Sequence, residues 1–286
     1  MWHNLAQLPR YRGLIHSLVA RELKARYRGS ILGFFWSFVN PLMLLLIYSV
    51  VFSVFLPNRM EGVQPYGLFL FCGLLPWTWF STSLSESAGV LISGGNLIKK
   101  VLFPAEVLPI VSVLANMVQF LLGLPILAAF LVYYAFISPN HEIALHASEL
   151  AWFPAIVAVQ LVFTLGLALF LAALTVHFRD VKDILSNLLT FWFFATPIIY
   201  PWFFLVPDGA PGAAVPAEPG SPWMKWFIDL NPFSHIAISY QEVLFFPGNQ
   251  FGHLPWLLVM AAVSPVVFLG GYWVFDRLRD SFAEAV

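Results

Sequence analysis

Few residues of this 286-residue chain are spaced for chemistry of their own. The phosphate-binding motif GxxxxGKS or GxxxxGKT does not occur, and no lysine follows a glycine. The seven histidines form neither an HExxH pattern nor a plausible zinc set, and no GxSxG turn presents a nucleophilic serine. The sequence therefore predicts no catalytic residue, no metal site and no cofactor held by this chain.

Acidic residues leave two chemical possibilities open. Glu86 is the only carboxylate inside an apolar window, about one helical turn from its cytoplasmic end. It would suit proton coupling, but we interpret it as a residue that reaches the interface or bonds to a serine. Asp180 with Asp183 is the only candidate pair for glycosyl or acyl transfer to a lipid-linked sugar. A membrane transferase is therefore the weakest of the functions considered.

The basic stretch RELKARYRGS, residues 21–30, ends abruptly against a long apolar segment. On a helix, Arg21, Lys24 and Arg28 fall on one narrow arc. A separate arc is apolar and consists of Leu14, Ile15, Leu18 and Val19. The pattern predicts an interfacial amphipathic helix within residues 10–30. Its basic arc either anchors the chain to anionic lipid or meets a phosphate-bearing lipid substrate at the cytoplasmic entrance.

Composition identifies the elements that must position these residues. Hydrophobic residues make up 60% of the chain and charged residues only 10%, which is typical of a membrane protein. Six windows are long and apolar enough for a spanning helix, which needs about 20 residues. They are residues 31–56, 66–92, 107–138, 151–178, 184–206 and 254–275. We predict an all-α polytopic membrane protein with six transmembrane helices, in a single transmembrane domain over residues 1–286.

The basic residues orient this domain. With six spans, twelve of the 14 Lys and Arg residues lie on the side of the two termini, and only Arg59 and Lys225 lie on the other. The positive-inside rule then places both termini in the cytoplasm. Residues 31–206 hold spans one to five, and residues 254–286 hold span six and a cytoplasmic tail.

Two shorter segments carry further predictions. Residues 96–102, between breakers in the second cytoplasmic loop, are expected to form a compact helix, either a docking element for a soluble partner or an ordinary connector. Residues 207–250 are expected outside the membrane. A loop rich in Pro, Ala and Gly at 207–222 precedes two short helical segments, 224–230 and 232–246, which suggest re-entrant or interfacial gate helices.

Aromatic residues are dense in the first and fifth windows. The residues we single out are Phe34, Phe35, Phe38, Tyr48, Phe191, Trp192, Phe194 and Tyr200. Aromatic belts at the membrane interface are one explanation. The other is a wide pore on whose rings the apolar faces of sugars stack weakly, which favours conduction.

Six motifs, in order, resemble those of the type-2 ABC exporter permeases. They are RELKARYRGSILGFFWSFVNPL, CGLLPWTWF, NLIKKVLFPAEVLP, HFRDVKDI, FWFFATPIIYP and LNPFSHIAISYQEVLF. The branch that exports O-antigen, capsule or teichoic acid polysaccharides is most similar. The resemblance implies a homodimer in the cytoplasmic (inner) membrane, joined to two copies of a separate ATPase that binds ATP and Mg. Its substrate would be a lipid-linked polysaccharide, and no nucleic acid would bind.

The resemblance also implies roles for particular residues. Six residues would form the coupling helix that docks into the ATPase: Asn96, Leu97, Ile98, Lys99, Lys100 and Phe103. Arg179 and Asp180 would form a second contact with it. The basic arc would lie beside the substrate entrance, the eight aromatic residues would line the channel, and residues 224–246 would form the external gate.

Two departures from the family pattern are expected to matter. Ala105 stands where the family usually has a basic residue, so one contact with the ATPase or with lipid is in question. The loop at 207–222 is longer than the usual connection. An exporter of drugs or small lipids is the nearest alternative, and the aromatic-rich fifth window disfavours it.

Overall fold

A computed structural model describes residues 8–51, 63–95, 104–138, 143, 147–202, 222–246 and 252–282. Within these ranges all of the regular secondary structure is helical. The helices are α1 (Arg12–Arg26), α2 (Trp36–Val50), α3 (Tyr66–Ser93), α4 (Val107–Val132), α5 (Ala147–Leu150), α6 (Phe153–His177), α7 (Val181–Ala195), α8 (Pro222–Leu230), α9 (Pro232–Leu244) and α10 (Leu254–Leu278). Short 3₁₀ turns precede α1 and α2 and follow α10, and a π turn extends α4.

Five stretches are long and apolar enough to cross a membrane: Gly33–Val50, Tyr66–Ser93, Val107–Ile137, Ser148–His177 and Leu254–Ser281. They correspond to five of the six predicted windows. The all-α class and the multi-pass membrane architecture are therefore confirmed.

The fifth window, 184–206, is not one continuous helix as predicted. Its helix α7 has 15 residues and ends at Ala195. Thr196 is extended because Pro197 follows it, and a residue before proline is disfavoured in the helical region. At about 1.5 Å per residue, α7 is roughly 22 Å long, short of the about 30 Å hydrocarbon core. A sixth crossing therefore stays a prediction.

Helix α3 is the centre of the bundle. It packs against α2, α4, α6, α7 and α9, and its first turns are buried on every side. Aromatic rings are prominent in this core. Trp77 meets Phe233 edge-on with ring centroids 5.0 Å apart, and Phe80 meets it at a tilt with centroids 4.5 Å apart. The core thus joins α3 to α9.

Helices α6 and α10 form the most extensive helix pair. Glycine permits their close approach, since a Cβ atom built on Gly271 would lie 2.0 Å from the carbonyl oxygen of Gly166. Small residues commonly allow membrane helices to pack this tightly.

The amphipathic helix is present as α1. Its apolar arc packs with Val107 and Val111 at the start of α4, so protein covers much of the face that was expected to lie on lipid. Leu18 is the buried residue at the centre of this contact.

Candidate functional site

The three basic residues of the predicted entrance, Arg21, Lys24 and Arg28, are all exposed on α1 and the turn after it. None forms an ion pair with a described residue. Their charges therefore face outward and are accessible to a phosphate or an anionic lipid, as both interpretations require.

Arg26, one position from this arc, points inward instead. Its Nη2 donates to Glu86 Oε2 at 2.6 Å, and its Nη1 donates to Asn116 Oδ1 at 2.8 Å. Asn116 Nδ2 also donates to Glu86 Oε2 at 2.7 Å. Glu86 therefore bonds to Arg26 and Asn116 rather than to a serine, and its position at the membrane interface stays a prediction. A partly buried carboxylate needs a cation, and α1 supplies one from 60 residues away.

This network holds α1 to α3 and α4 through charge-assisted hydrogen bonds, the stronger kind. Glu22, one turn before Arg26, contributes a longer contact of 3.7 Å to its Nε. The basic surface of α1 is therefore fixed relative to the membrane helices.

The predicted aromatic residues divide into exposed and packed sets. Phe34, Phe35, Phe191 and Phe194 are exposed, and Phe35 and Phe191 expose 68% and 60% of their surface. Phe38, Tyr48, Trp192 and Tyr200 are half-buried.

Trp192 belongs to the aromatic core as well as to a surface cavity. Its indole N–H donates to Asn231 Oδ1 at 2.6 Å, and its ring meets Phe80 edge-on at 5.2 Å. The same ring helps to line a cavity of about 320 Å³ between α7 and the helices α8 and α9. Trp192 therefore connects the exposed face of α7 to α9 and to the cavity beside α8.

Among the described residues, the exposed rings before α2 and those on α7 belong to helices with partly different neighbours. Helix α2 packs on α3 and α4, whereas α7 packs on α3 and α6. Only 11% of the window around α2 is buried inside the chain, against 83% for α3. Helix α2 therefore leaves most of its surface uncovered by the rest of the described chain.

A polar groove between α3 and α7 escaped the sequence analysis. Its volume is about 400 Å³, and it carries the hydroxyl groups of Thr78, Ser81, Ser85, Ser186 and Thr190. The hydroxyls of Thr78, Ser81 and Thr190 donate to carbonyl oxygens of their own helices at 2.8, 3.5 and 3.0 Å, and they give the groove a polar edge. The spacing of three and four residues from Thr78 to Ser85 was the signal in the sequence.

The cytoplasmic contact residues fall into two groups. Asn96, Leu97, Ile98, Lys99, Lys100 and Phe103 lie outside the described residues, so the coupling helix stays a prediction. Arg179 and Asp180 are exposed between α6 and α7, as docking requires.

Ala105 has a structural explanation. Its side chain is 4% exposed and packs in a cluster with Leu91, Leu108 and Ala172. Glu106 beside it is also buried, with Oε1 lying 3.5 Å from Arg279 Nη1. A basic side chain at position 105 would enter this cluster, so alanine suits the packing here.

Two short helices occur where the external gate was predicted. Helix α8 is Pro222–Leu230, and α9 ends at Leu244 rather than at residue 246. Asn231 caps α9 by accepting from the backbone N–H of Phe233 and Ser234. Helix α9 is buried almost throughout, but its depth in a membrane stays a prediction.

A buried histidine pair joins α9 to the start of α10. His235 Nε2 donates to the carbonyl oxygen of Asp229 at 3.1 Å, so its Nδ1 accepts from His253 Nε2, also at 3.1 Å. Trp256 stacks on His235 at 4.2 Å. Burial lowers the pKa of His253 to about 3 and raises that of Glu242, which accepts from the His253 backbone, to about 7.

Comparison with known proteins gives consistent results. The ABC-2 type transporter family matches residues 13–207. The chain is similar to the O-antigen export system permease protein RfbA of Myxococcus xanthus, with 38% identity over 98% of each chain. It is also similar to a protein of the same name from Klebsiella pneumoniae, with 28% identity over 95% of this chain and 94% of the relative.

Proposed function

Because this chain belongs to the ABC-2 type transporter family, we propose that it is the membrane permease of an ATP-driven exporter of lipid-linked polysaccharide. The observation that carries this proposal is the full-length similarity to an O-antigen export permease, 38% over 98% of both chains. The chain is a transporter component rather than a catalytic enzyme, and its relatives favour glycan export over drug export or sugar transfer.

Energy for transport would come from a separate ATPase. The chain lacks the nucleotide-binding motif, and membership of the family implies such a partner. We expect two ATPase copies, with ATP and Mg bound there, to dock on residues 96–103 and on Arg179 and Asp180. ATP-driven closure of the ATPases would push on residues 96–103.

A homodimer is supported by the surfaces that one chain leaves uncovered. Helix α2 is largely unburied, and exposed rings lie at Phe34 and Phe35 just before α2 and at Phe191 and Phe194 on α7. A two-fold axis brings identical helices together around one central path. We expect that path to run between the two copies, with Phe35 and Phe191 among its aromatic contacts.

The charge distribution supports an orientation with both termini in the cytoplasm of the inner membrane. In that orientation Arg21, Lys24 and Arg28 would meet the phosphate of the lipid-linked substrate before it enters. The external helices α8 and α9 would then stand at the exit.

Deletion of the gene in its own host tests this function. Surface polysaccharide should disappear while lipid-linked polysaccharide accumulates inside the cell, and the wild-type gene should restore export. A variant with Lys99→Glu and Lys100→Glu should reach the membrane but neither retain the ATPase during purification nor restore export. Unchanged surface polysaccharide after deletion would refute the proposal.

A further inference from the structure

A second cavity lies inside the protomer, beside the Arg26–Glu86–Asn116 network. The end of α1 and the helices α2, α3 and α4 enclose about 170 Å³. A cavity of about 150 Å³ already accommodates one six-membered ring. The space is therefore large enough for a small ligand rather than for a few water molecules.

Amides and hydroxyls converge on this cavity. The Tyr27 hydroxyl accepts from Ser37 Oγ at 2.7 Å and from Gln119 Nε2 at 2.9 Å. Groups fixed in this way are ready to form hydrogen bonds without further ordering. Asn116 forms the back of the cavity and is saturated, since its two N–H groups donate to Glu86 and to the carbonyl oxygen of Ser112 while its Oδ1 accepts from Arg26.

Asn40 is the most informative of the lining residues. It is exposed on α2 within a stretch long and apolar enough to span the membrane, and it forms no hydrogen bond with a described residue. An amide without a partner is costly in hydrocarbon. Its position on the cavity wall leaves its amide available to bond to a polar ligand there.

The remaining wall is aromatic and uncharged. Trp36, Phe71, Trp79 and Phe120 line it, and the Trp79 and Phe120 rings stack at 5.1 Å. None of the described lining residues carries a charge, and Arg26 is already paired with Glu86. This chemistry disfavours a phosphate and suits a neutral ring with hydroxyls at its edge and C–H groups on its faces.

The cavity is also adjacent to the hydroxyl groove between α3 and α7. Leu74 and Thr78 line both spaces. A ligand in the cavity would therefore lie directly beside a surface of hydroxyl groups.

We propose that this cavity is a saccharide-binding site within each protomer and holds one sugar ring of the exported glycan. The proposal rests on the proposed function and adds a site within the protomer to the path between protomers. Recognition comes from Asn40 and Gln119 at the ring edge and from the aromatic wall on its faces.

Photo-crosslinking in glycan-producing cells tests the site with a matched pair of positions. Leu44 and Leu46 lie on α2 and expose 38% and 43% of their surface, but only Leu44 lines the cavity. A diazirine amino acid at position 44 should yield an adduct stained by a glycan-specific antibody, and one at position 46 should not. A third probe at position 191 reports on the proposed path between protomers.

The outcomes separate the two proposals. Glycan adducts at 191 but not at 44, or phospholipid adducts at 44, overturn the saccharide site and leave the exporter function standing. Surface glycan that persists after gene deletion overturns the function itself. Asn40→Leu should lower the adduct yield at position 44 about tenfold, because it removes roughly one hydrogen bond to the sugar. The amount of protein should not fall. An unchanged yield would contradict the assigned recognition.

Discussion

Removing either member of the Arg26–Glu86 pair should destabilise the protein more than removing any exposed charge of α1. Arg26→Ala leaves the Glu86 carboxylate with Asn116 as its remaining hydrogen-bond donor among the described residues. Glu86→Ala leaves the guanidinium with Asn116 and the distant Glu22. In both variants a partly buried charge loses its principal counter-ion.

The size of the effect follows from burial. Breaking a fully buried ion pair costs about 3–5 kcal/mol. Here the Arg26 side chain is 16% exposed and that of Glu86 is 36% exposed, so water recovers part of this loss. We expect about 2 kcal/mol for each single variant, and less than the sum for the double variant, with a coupling of about 1–2 kcal/mol.

Thermal unfolding of the purified protein in detergent measures these differences. At about 2–4 °C per kcal/mol, each single variant should lower the apparent Tm by roughly 4–8 °C. Arg21→Ala is the matched control on the same helix, because Arg21 has no ion pair with a described residue, and its Tm should stay within about 1 °C of wild type. Equal shifts for Arg21→Ala and Arg26→Ala, or strict additivity in the double variant, would refute the network.

Three further outcomes are expected in the same unfolding assay. Gly271→Ala should destabilise by about 1–3 kcal/mol because its Cβ meets the facing backbone, whereas Gly270→Ala, which has open space, should not; equal effects would argue against this packing. Ala105→Lys should lower the Tm and the yield because its position is buried, and wild-type behaviour would place residue 105 on the surface. In the wild type, the contribution of Glu242 to the protein's stability falls as pH rises from about 4.5 to 7, because its pKa is raised in the folded state. The contribution of His253 rises with pH up to about 6.5, because its pKa is lowered, so the two effects oppose each other. Glu242→Gln should remove the first effect, leaving stability that rises with pH across this interval; a flat profile would contradict the assigned pKa directions.

Charge patterning predicted most of the fold. Long windows without charges mark spanning helices because the bilayer excludes unpaired charges, and five windows became such helices. The apolar arc around Leu18 is the face that α1 buries, although it packs on α4 and not on lipid as expected. In the fifth window a search for charge-free stretches does not register the Thr196-Pro197 step, and the helix ends at Ala195 because the backbone leaves the helical region there.

The site was harder to predict because it depends on contacts between distant segments. The Arg26–Glu86 pair joins residues 60 positions apart, and Gln119 meets Tyr27 across 92. The number of aromatic residues in the sequence pointed to them as candidate site residues. The hydroxyls of Thr78 and Ser81, which line the groove, were not singled out, because only the structure shows that they face α7. Burial of Ala105 similarly becomes visible only when α3, α4 and α6 pack together.

Transport in inverted membrane vesicles tests the central claim most directly. Vesicles that contain this chain, its partner ATPase and lipid-linked polysaccharide should move the glycan into the lumen, where added glycosidase cannot reach it. The account predicts that protection requires ATP and both proteins, and that Lys99→Glu with Lys100→Glu abolishes it. Glycan that becomes protected without the ATPase, or that stays accessible when both proteins and ATP are present, would contradict it.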